Sequence, residues 1–354
     1  MGIKAGAGRP RHDGGTSSSK NRRMELVCPA GGLPALRAAV DNGADAVYIG
    51  FRDDTNARHF PGLNFDPEQA AAGIAYARDR GVRVYLALNT YPQAHNLDRW
   101  LGAVDRAAEL GVDALICADI AVLDHARRHH PKLPLHLSVQ ASATTWAALR
   151  FYHEHFGVRR AVLPRVLSLA QIETLVAKSP VAIEVFGFGG LCVMVEGRCS
   201  LSALLSGAAP NLCGVCSPAE AVRFEDTPEG LVSRLGGWLI DRFAPGERAG
   251  YPTVCKGRYR LGGHVYYAFE EPTSLNTLDL LPALARAGVA AIKIEGRQRS
   301  PAYVAAVTRI WRAALDALAA EGGAFVPRPA WQAALTGLSE GRQTTLGAYH
   351  RPWR

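Results

Sequence analysis

The sequence predicts a single large α/β domain, a (β/α)8 TIM-like barrel that carries a cysteine-bearing insertion between strands 7 and 8. A chain of 354 residues with 48% apolar content can bury a core of that size. Amphipathic helical stretches repeatedly end at a glycine, and a β-branched run then follows within one to three residues. These runs are short and nearly continuously apolar, which is typical of parallel strands covered on both faces.

Eight such runs are spaced along about 300 residues, which suits a barrel of roughly 250 residues with one insertion. They are "MELVC" from 24, "DAVYIG" from 45, "VRVYLALN" from 82, "VDALICA" from 112, "LPLHLSVQ" from 133, "RAVLP" from 160, "VAIEVFGF" from 181 and "AAIKIE" from 290. A doubly wound open sheet is the competing architecture. It has little support, because no glycine-rich dinucleotide fingerprint follows the first strand.

Helix boundaries are marked by residues suited to helix ends. Glycine tolerates the left-handed conformation that commonly follows a helix, so five glycines are predicted there: Gly43, Gly81, Gly111, Gly157 and Gly288. Helices are predicted to start at Asp66-Pro67 and Ser300-Pro301, where a side-chain oxygen caps free amides. Core-facing positions of the last long helix recur at helical spacing: Val304, Val307, Trp311, Leu315 and Leu318.

The chain divides into a basic tail, a barrel and a C-terminal extension. Residues 1–23 carry six basic side chains against one Asp, which is +5 of the net +8, and their Gly- and Ser-rich composition predicts disorder. The barrel covers 24–326 and includes the insertion 189–289, with a hairpin turning at Gly262-Gly263. Residues 327–354 are expected to pack on the barrel as an extension.

Cysteine usage predicts a reducing compartment and therefore the cytoplasm. Seven cysteines occur without a secretion signal, and no apolar run is long enough to span a membrane. Cys28 and Cys117 lie at strand ends and are expected to be buried thiols. The remaining five fall in the insertion: Cys192, Cys199, Cys213, Cys216 and Cys255.

The insertion thiols leave three interpretations open. No histidine lies between His155 and His264, so a metal site there would be rich in thiolates. Structural zinc usually takes two Cys-x2-Cys pairs, and only Cys213-x2-Cys216 is present. Dispersed thiolates fit an iron–sulfur cluster at least as well, and incidental thiols are the third possibility.

Polar residues near the ends of the predicted strands are candidate site residues, because barrel enzymes place their chemistry there. Lys293 and Glu295 of "KIEGR" share one face of a strand, with Arg297 just beyond it, and these three are the predicted catalytic residues. The other candidates are Asn89, Asp119, Gln140, Ser142, Arg165, Glu184 and the loop "DDTNARHF" at 53–60. Metalloprotease, serine-hydrolase and P-loop motifs do not occur, so hydrolysis by a known triad lacks support.

From residue 24 onward the chain resembles the collagenase-like peptidase family U32, and within it the members that act in oxygen-independent ubiquinone biosynthesis. The resemblance is carried by motifs spread along the chain: "MELVCPAG", "DDTNARHF", "SVQASAT", "EVFGFGGLC", "EGRC", "CSPA", "YPTVCKGRY", "EEPTSLNTL", "KIEGRQRSPAYV" and "TTLGAYHR". It implies a 4Fe-4S cluster held by Cys192, Cys199, Cys216 and Cys255. Cys213 departs from the family pattern.

The same resemblance implies partners and a reaction. Such members form a heterodimer with a related UbiV-like subunit and work with a sterol-carrier-like lipid-binding protein. They hydroxylate the ring of prenylated phenols without O2, with prephenate as the expected oxygen donor, while related members hydroxylate RNA bases. Peptidase activity is not expected.

Together these features give a mechanistic hypothesis and two alternatives. Arg58, Arg165, Lys293 and Arg297 are expected to bind the two carboxylates of the donor. An RNA-base hydroxylase would need a basic stripe or an RNA-binding domain, and only +3 of the net charge lies outside residues 1–23. A zinc-stabilised, non-catalytic scaffold is the second alternative.

Overall fold

The computed structural model describes residues 23–351, in which eight parallel strands close into a barrel. Each barrel strand pairs with the next, and the strand at Ala291–Ile294 pairs with both the first strand, Glu25–Pro29, and the seventh, Ala182–Gly190, which closes the ring. The barrel strands are β1 Glu25–Pro29, β2 Ala46–Ile49, β3 Arg83–Leu88, β4 Ala114–Cys117, β5 Leu135–Leu137, β6 Arg160–Val162, β7 Ala182–Gly190 and β14 Ala291–Ile294. The predicted barrel is confirmed and the open sheet is excluded.

Helices follow the barrel strands and form the outer layer. They are α1 Leu33–Asp41, α2 Pro67–Arg78, α3 Leu97–Glu109, α4 Ile120–His129, α5 Trp146–Phe156, α6 Leu169–Lys178, α9 Leu281–Ala287 and α10 Pro301–Glu321. All five predicted glycines have positive φ, between 69° and 93°. Asp66 and Ser300 cap α2 and α10 by accepting hydrogen bonds from backbone amides.

The insertion folds into small elements between β7 and β14. Because β7 continues to Gly190, the insertion begins slightly later than the predicted residue 189. Its elements are α7 Ser200–Ser206, α8 Pro210–Cys213, an antiparallel sheet of β8 Val222–Thr227, β9 Gly230–Leu235 and β10 Trp238–Phe243, and a hairpin of β11 Arg258–Leu261 and β12 His264–Tyr267. The hairpin at Gly262-Gly263 was predicted. The three-stranded sheet was not, because β8 exposes most of its side chains and so lacks an apolar alternation.

Two further strands and a helix join the C-terminal segment to the barrel sheet. Strand β13 Ser274–Asn276 pairs antiparallel with β7, and β15 Thr344–Thr345 pairs with β13. Helix α11 Pro329–Leu338 precedes β15, and Leu335 within it is fully buried. The predicted tail lies outside the described residues except for Arg23, which forms a 2.7 Å ion pair with Asp316. Within 23–351, no helix is both long and apolar enough to cross a bilayer.

The barrel interior combines small apolar side chains with a charged network. Glu184 accepts hydrogen bonds from Lys293 Nζ at 2.8 Å and from Arg160 Nη1 at 3.2 Å. Arg160 also donates to Glu25 at 2.7 Å, and Tyr85 donates to the same carboxylate. Since these groups are largely hidden from water, each charge depends on its partner, and the network fixes the strands around it.

Gly187 of β7 is a position where the barrel has no room for a methyl group. A Cβ there would lie 2.4 Å from Ile292 Cγ2 and 2.9 Å from Trp311 Cη2, and Trp311 is fully buried. We expect Gly187→Ala to lower the free energy of unfolding by about 1–3 kcal/mol through overpacking. Gly337→Ala in α11 meets nothing within 4 Å and is expected to be neutral or slightly stabilising. Equal denaturation midpoints for the two variants would contradict this.

Candidate functional site

A cavity of about 1190 Å³ lies where the barrel strands end, between the rim and the insertion. Of the predicted rim residues outside the 53–60 loop, six line it, and Ala57, Arg58 and Phe60 of that loop line it too. The six are Asn89, Gln140, Arg165, Lys293, Glu295 and Arg297. Asp119 instead caps α4 by accepting from the amides of Ala121 and Val122. Glu184 belongs to the network in the barrel interior. The structure therefore gathers most, but not all, of the candidates at one site.

Four thiols face this cavity from four separate segments. Cys192 follows β7, Cys199 is the N-cap residue of α7, Cys216 follows α8, and Cys255 lies in a 3-10 turn at Val254–Lys256. These are the same four that the family resemblance implied as cluster ligands. Cys213 does not line the cavity, and its thiol donates to the Val215 carbonyl at 3.2 Å.

The spacing of these sulfur atoms bears on what they could hold. A single zinc ion with Zn–S bonds of about 2.3 Å brings tetrahedral sulfurs to roughly 3.8 Å from one another. Within residues 23–351, no three cysteine sulfurs lie within 4.8 Å of each other. All four candidate ligands are cysteines, and cysteine thiolates are the ligands that hold iron–sulfur clusters.

Two of these four thiols have raised pKa values in the protein alone. Burial, followed by the charge of Glu196, raises the pKa of Cys192 to about 11. Burial, followed by the charges of Cys192, Cys216 and Cys199, raises the pKa of Cys255 to about 12. Four thiolates close together repel one another, so a bound cationic group would be needed to hold all of them ionised.

Glycines let the surrounding segments approach closely. Gly189 has φ of 126°, and a Cβ there would lie 2.8 Å from the Glu295 carbonyl oxygen. The amide of Gly190 donates to the Glu295 carboxylate at 3.0 Å. The chain before Cys192 thus packs directly on "KIEGR". Similarly, Gly214 fits against Ala57 of the 53–60 loop.

Three of the four cations expected to bind a donor already have carboxylate partners. Arg165 Nε donates to Glu196 at 2.8 Å, and Lys293 pairs with Glu184. Arg58 Nε lies 3.5 Å from the Glu295 carboxylate. These pairs neutralise most of the charge that was expected to bind the donor. Lys293, a predicted catalytic residue, lines the cavity, is 5% exposed and donates to Glu184.

Arg297 is the exception. It is 4% exposed and lines the cavity, and among the described residues it forms no ion pair with a carboxylate. Its guanidinium donates to Asn56 Oδ1 at 2.7 Å and to the Ala57 carbonyl, with its Cζ 5.7 Å from the Tyr48 ring centroid. Burial lowers the pKa of Arg297 to about 10, so the group stays charged at neutral pH. A buried cation without an anion favours binding of an anionic ligand.

Comparison with known proteins identifies the family. The model for peptidase family U32 matches residues 31–352. The chain belongs to peptidase family U32.

Curated relatives in this family are longer than the matched region. The tRNA hydroxylation protein P of Escherichia coli (strain K12) is 33% identical over 84% of this chain and 69% of that protein. The tRNA hydroxylation protein P1 of Bacillus subtilis (strain 168) is 30% identical over 88% of this chain and 67% of that protein. The 23S rRNA 5-hydroxycytidine C2501 synthase of Escherichia coli (strain K12) is 30% identical over 86% of this chain and 41% of that protein.

Several residues of this U32 cavity escaped the sequence analysis. Glu196 lies between Cys192 and Cys199, and its carboxylate accepts hydrogen bonds from the Nε and the backbone amide of Arg165. The Nη1 of Arg165 donates to the Gly190 carbonyl. Lys256, adjacent to Cys255, pairs with Glu340 of the C-terminal segment. Glu196 sits within "GGLCVMVEGRC" and could have been singled out there. The partnership with Glu340 spans 84 positions and left no local signal.

Removing the Glu184 carboxylate tests whether the barrel network is structural. In Glu184→Gln the ammonium of Lys293 and the guanidinium of Arg160 would lose their shared anion in a buried site. We expect the free energy of unfolding to fall by about 3–5 kcal/mol. The matched change Glu225→Gln removes an exposed 2.8 Å pair with Arg234 and should cost at most about 1 kcal/mol. If Glu184→Gln lowered the free energy of unfolding no more than Glu225→Gln does, the barrel network would add little stability.

Proposed function

We propose that this chain is a UbiU-like iron–sulfur subunit of an O2-independent hydroxylase that acts on the ring of prenylated phenols. One observation carries the proposal: four thiols from separate segments face one cavity at the barrel rim, and that cavity also contains a buried arginine that has no carboxylate partner within residues 23–351. Curated relatives named as hydroxylation proteins support a hydroxylase rather than a peptidase.

Cys192, Cys199, Cys216 and Cys255 would hold a 4Fe-4S cluster in this proposal. When bound, the cluster would supply one-electron transfer next to the substrate. Backbone placement supports this ligand set, since Cys199 caps a helix and its sulfur accepts from the Ser202 amide at 3.4 Å. A hydrogen bond to sulfur is one of the ways by which proteins tune cluster potentials.

The oxygen donor is proposed to be a prephenate-like dicarboxylate. Arg297 would bind one carboxylate through charge-assisted hydrogen bonds, and Asn56 and Ala57 orient its guanidinium. Arg58 is the most exposed of the four cations and could contact the second carboxylate from its place beside Glu295. The donor alcohol and the ring would react as R–OH + Ar–H → R–H + Ar–OH. The ring is oxidised by two electrons and the donor is reduced by two.

Partner subunits belong to the proposal as well. We propose a heterodimer with a UbiV-like subunit, served by a sterol-carrier-like protein that delivers the prenylated phenol. The insertion exposes large apolar side chains that a partner could cover: Trp238 is 64% exposed, Val265 56% and Phe269 54%. Exposed apolar side chains that form one contiguous patch are typical of interaction surfaces.

Anaerobic co-expression with a UbiV-like subunit tests the proposal directly. Iron, sulfide and zinc are measured in the purified protein, and quinones are measured in a strain whose own gene has been deleted. We expect a brown protein with about four iron and four sulfide per chain and restored quinone formation without O2. A colourless protein with one zinc and no restored quinone would instead support the zinc scaffold.

RNA-base hydroxylation is the second candidate, and the names of the curated relatives favour it. The same strain distinguishes the two functions, because quinones and hydroxylated nucleosides can be quantified from one culture. Restored nucleosides without quinones would assign the chain to RNA. Salt-dependent tRNA binding would accompany that result, since phosphate contacts release counterions.

A further inference from the structure

A cluster of histidines lies on the outer helices, away from the thiol cavity. Asp105 of α3, His125 of α4 and His130 at the end of α4 bring three ligand atoms within 4.8 Å of one another. None of the three lines the cavity. His125 and His130 lie in the segment "HARRHH" at 125–130.

The two imidazoles converge on a single carboxylate oxygen. His125 Nε2 lies 2.9 Å and His130 Nε2 2.7 Å from Asp105 Oδ1. Zinc binds imidazole nitrogen at about 2.0–2.1 Å and carboxylate oxygen at about 2.0–2.2 Å, which places such atoms roughly 3.4 Å apart in a tetrahedron. A zinc ion would therefore fit if the distances between the two imidazole nitrogens and the Asp105 oxygen increased by about half an ångström.

The surroundings suit a cation that enters from solvent. Side-chain exposure is 17% for His125, 26% for His130 and 45% for Asp105, so the ligand atoms can be reached while the rings stay packed. His130 caps the C-terminus of α4, where the helix dipole is negative. His129 packs on His125 with ring centroids 4.4 Å apart and helps to fix its orientation.

We propose that Asp105, His125 and His130 form a second metal site, which binds Zn²⁺ or a similar divalent transition-metal ion and leaves one position open to water. Two imidazoles and one carboxylate are the donors of known three-ligand zinc sites. A bound ion would tie α3 to α4 and stabilise the folded state by mass action.

Zinc and cobalt binding to the full chain, purified anaerobically, tests this site. We expect His125→Asn/His130→Asn to lose one bound Zn²⁺ or to bind it at least about 10-fold more weakly, whereas His95→Asn, an exposed loop histidine, should match the wild type. Co²⁺ separates this site from the cysteines, because only thiolate ligands give intense sulfur-to-metal absorption. The double variant should lose the weak bands of the nitrogen and oxygen site and keep any thiolate absorption.

Unchanged zinc stoichiometry and affinity in the double variant would overturn the proposal, as would cobalt bound through thiolates alone. If circular dichroism shows that the double variant is misfolded, the same zinc and cobalt measurements on Asp105→Asn test the site instead. This change preserves the shape of the side chain and removes the anionic ligand. Neither result depends on the thiol cavity or on the proposed hydroxylation.

Discussion

Cys199→Ser is expected to lose nearly all bound iron and all quinone formation while the chain stays folded. Serine is a better helix cap than cysteine, so the hydroxyl can accept from the Ser202 amide in place of the sulfur. The variant removes one proposed thiolate ligand without removing the cap. Iron and sulfide content, visible absorbance and anaerobic quinone formation are the measurements.

Cys213→Ser is the matched control, since this thiol lies in the same insertion, does not line the cavity and donates to the Val215 carbonyl. It should retain iron, colour and activity at the level of the wild type. If both serine variants kept the wild-type iron content, the proposed ligand set would be wrong. If both lost it, Cys213 would have to be counted among the ligands.

Arg297→Gln is expected to reduce quinone formation by roughly two to three orders of magnitude and to leave iron content unchanged. Truncating one partner of a buried charge pair costs about 2–5 kcal/mol in binding. The folded state should tolerate the change, because among the described residues Arg297 has no carboxylate partner to leave behind. Donor titration should show a raised KM, as expected for a residue that binds the donor.

Arg52→Gln is the matched control for that experiment. Arg52 follows β2 as Arg297 follows β14, but it is 43% exposed, does not line the cavity and donates to Gln69 at 2.7 Å. Activity should match that of the wild type. If Arg297→Gln kept wild-type quinone levels, Arg297 would not bind the donor. If the variant lost its iron, Arg297 would instead help to hold the segments that carry the thiols.

Local patterns predicted the barrel because each strand and each helix end carries its own signal. Trp311 was assigned to the core from helical spacing, and it is fully buried. Gly288 was assigned to a helix end, and it has φ of 87°. These signals arise from interactions within a few residues or from burial of one face of an element. They can therefore be recognised in the sequence before the fold is known.

Charge pairing could not be predicted in the same way. Lys293 and Arg165 were expected to bind the carboxylates of the donor, yet Glu184 and Glu196 pair with them from 109 and 31 positions away. Whether a cation is available to a ligand depends on which anion reaches it in space, and residue type alone does not reveal this.

The sequence by itself determined the eight-stranded architecture, the helix boundaries and the candidate thiols, since periodicity and glycine placement are local properties. Only the tertiary structure decided that Arg297 has no carboxylate partner in the part of the chain that the structure describes, that Cys213 stays outside the cavity lining, and that Asp105 meets two histidines. The physical reason is that ion pairs and metal-ligand contacts depend on distances between residues far apart in the sequence. Those distances are set by the tertiary fold and not by local spacing.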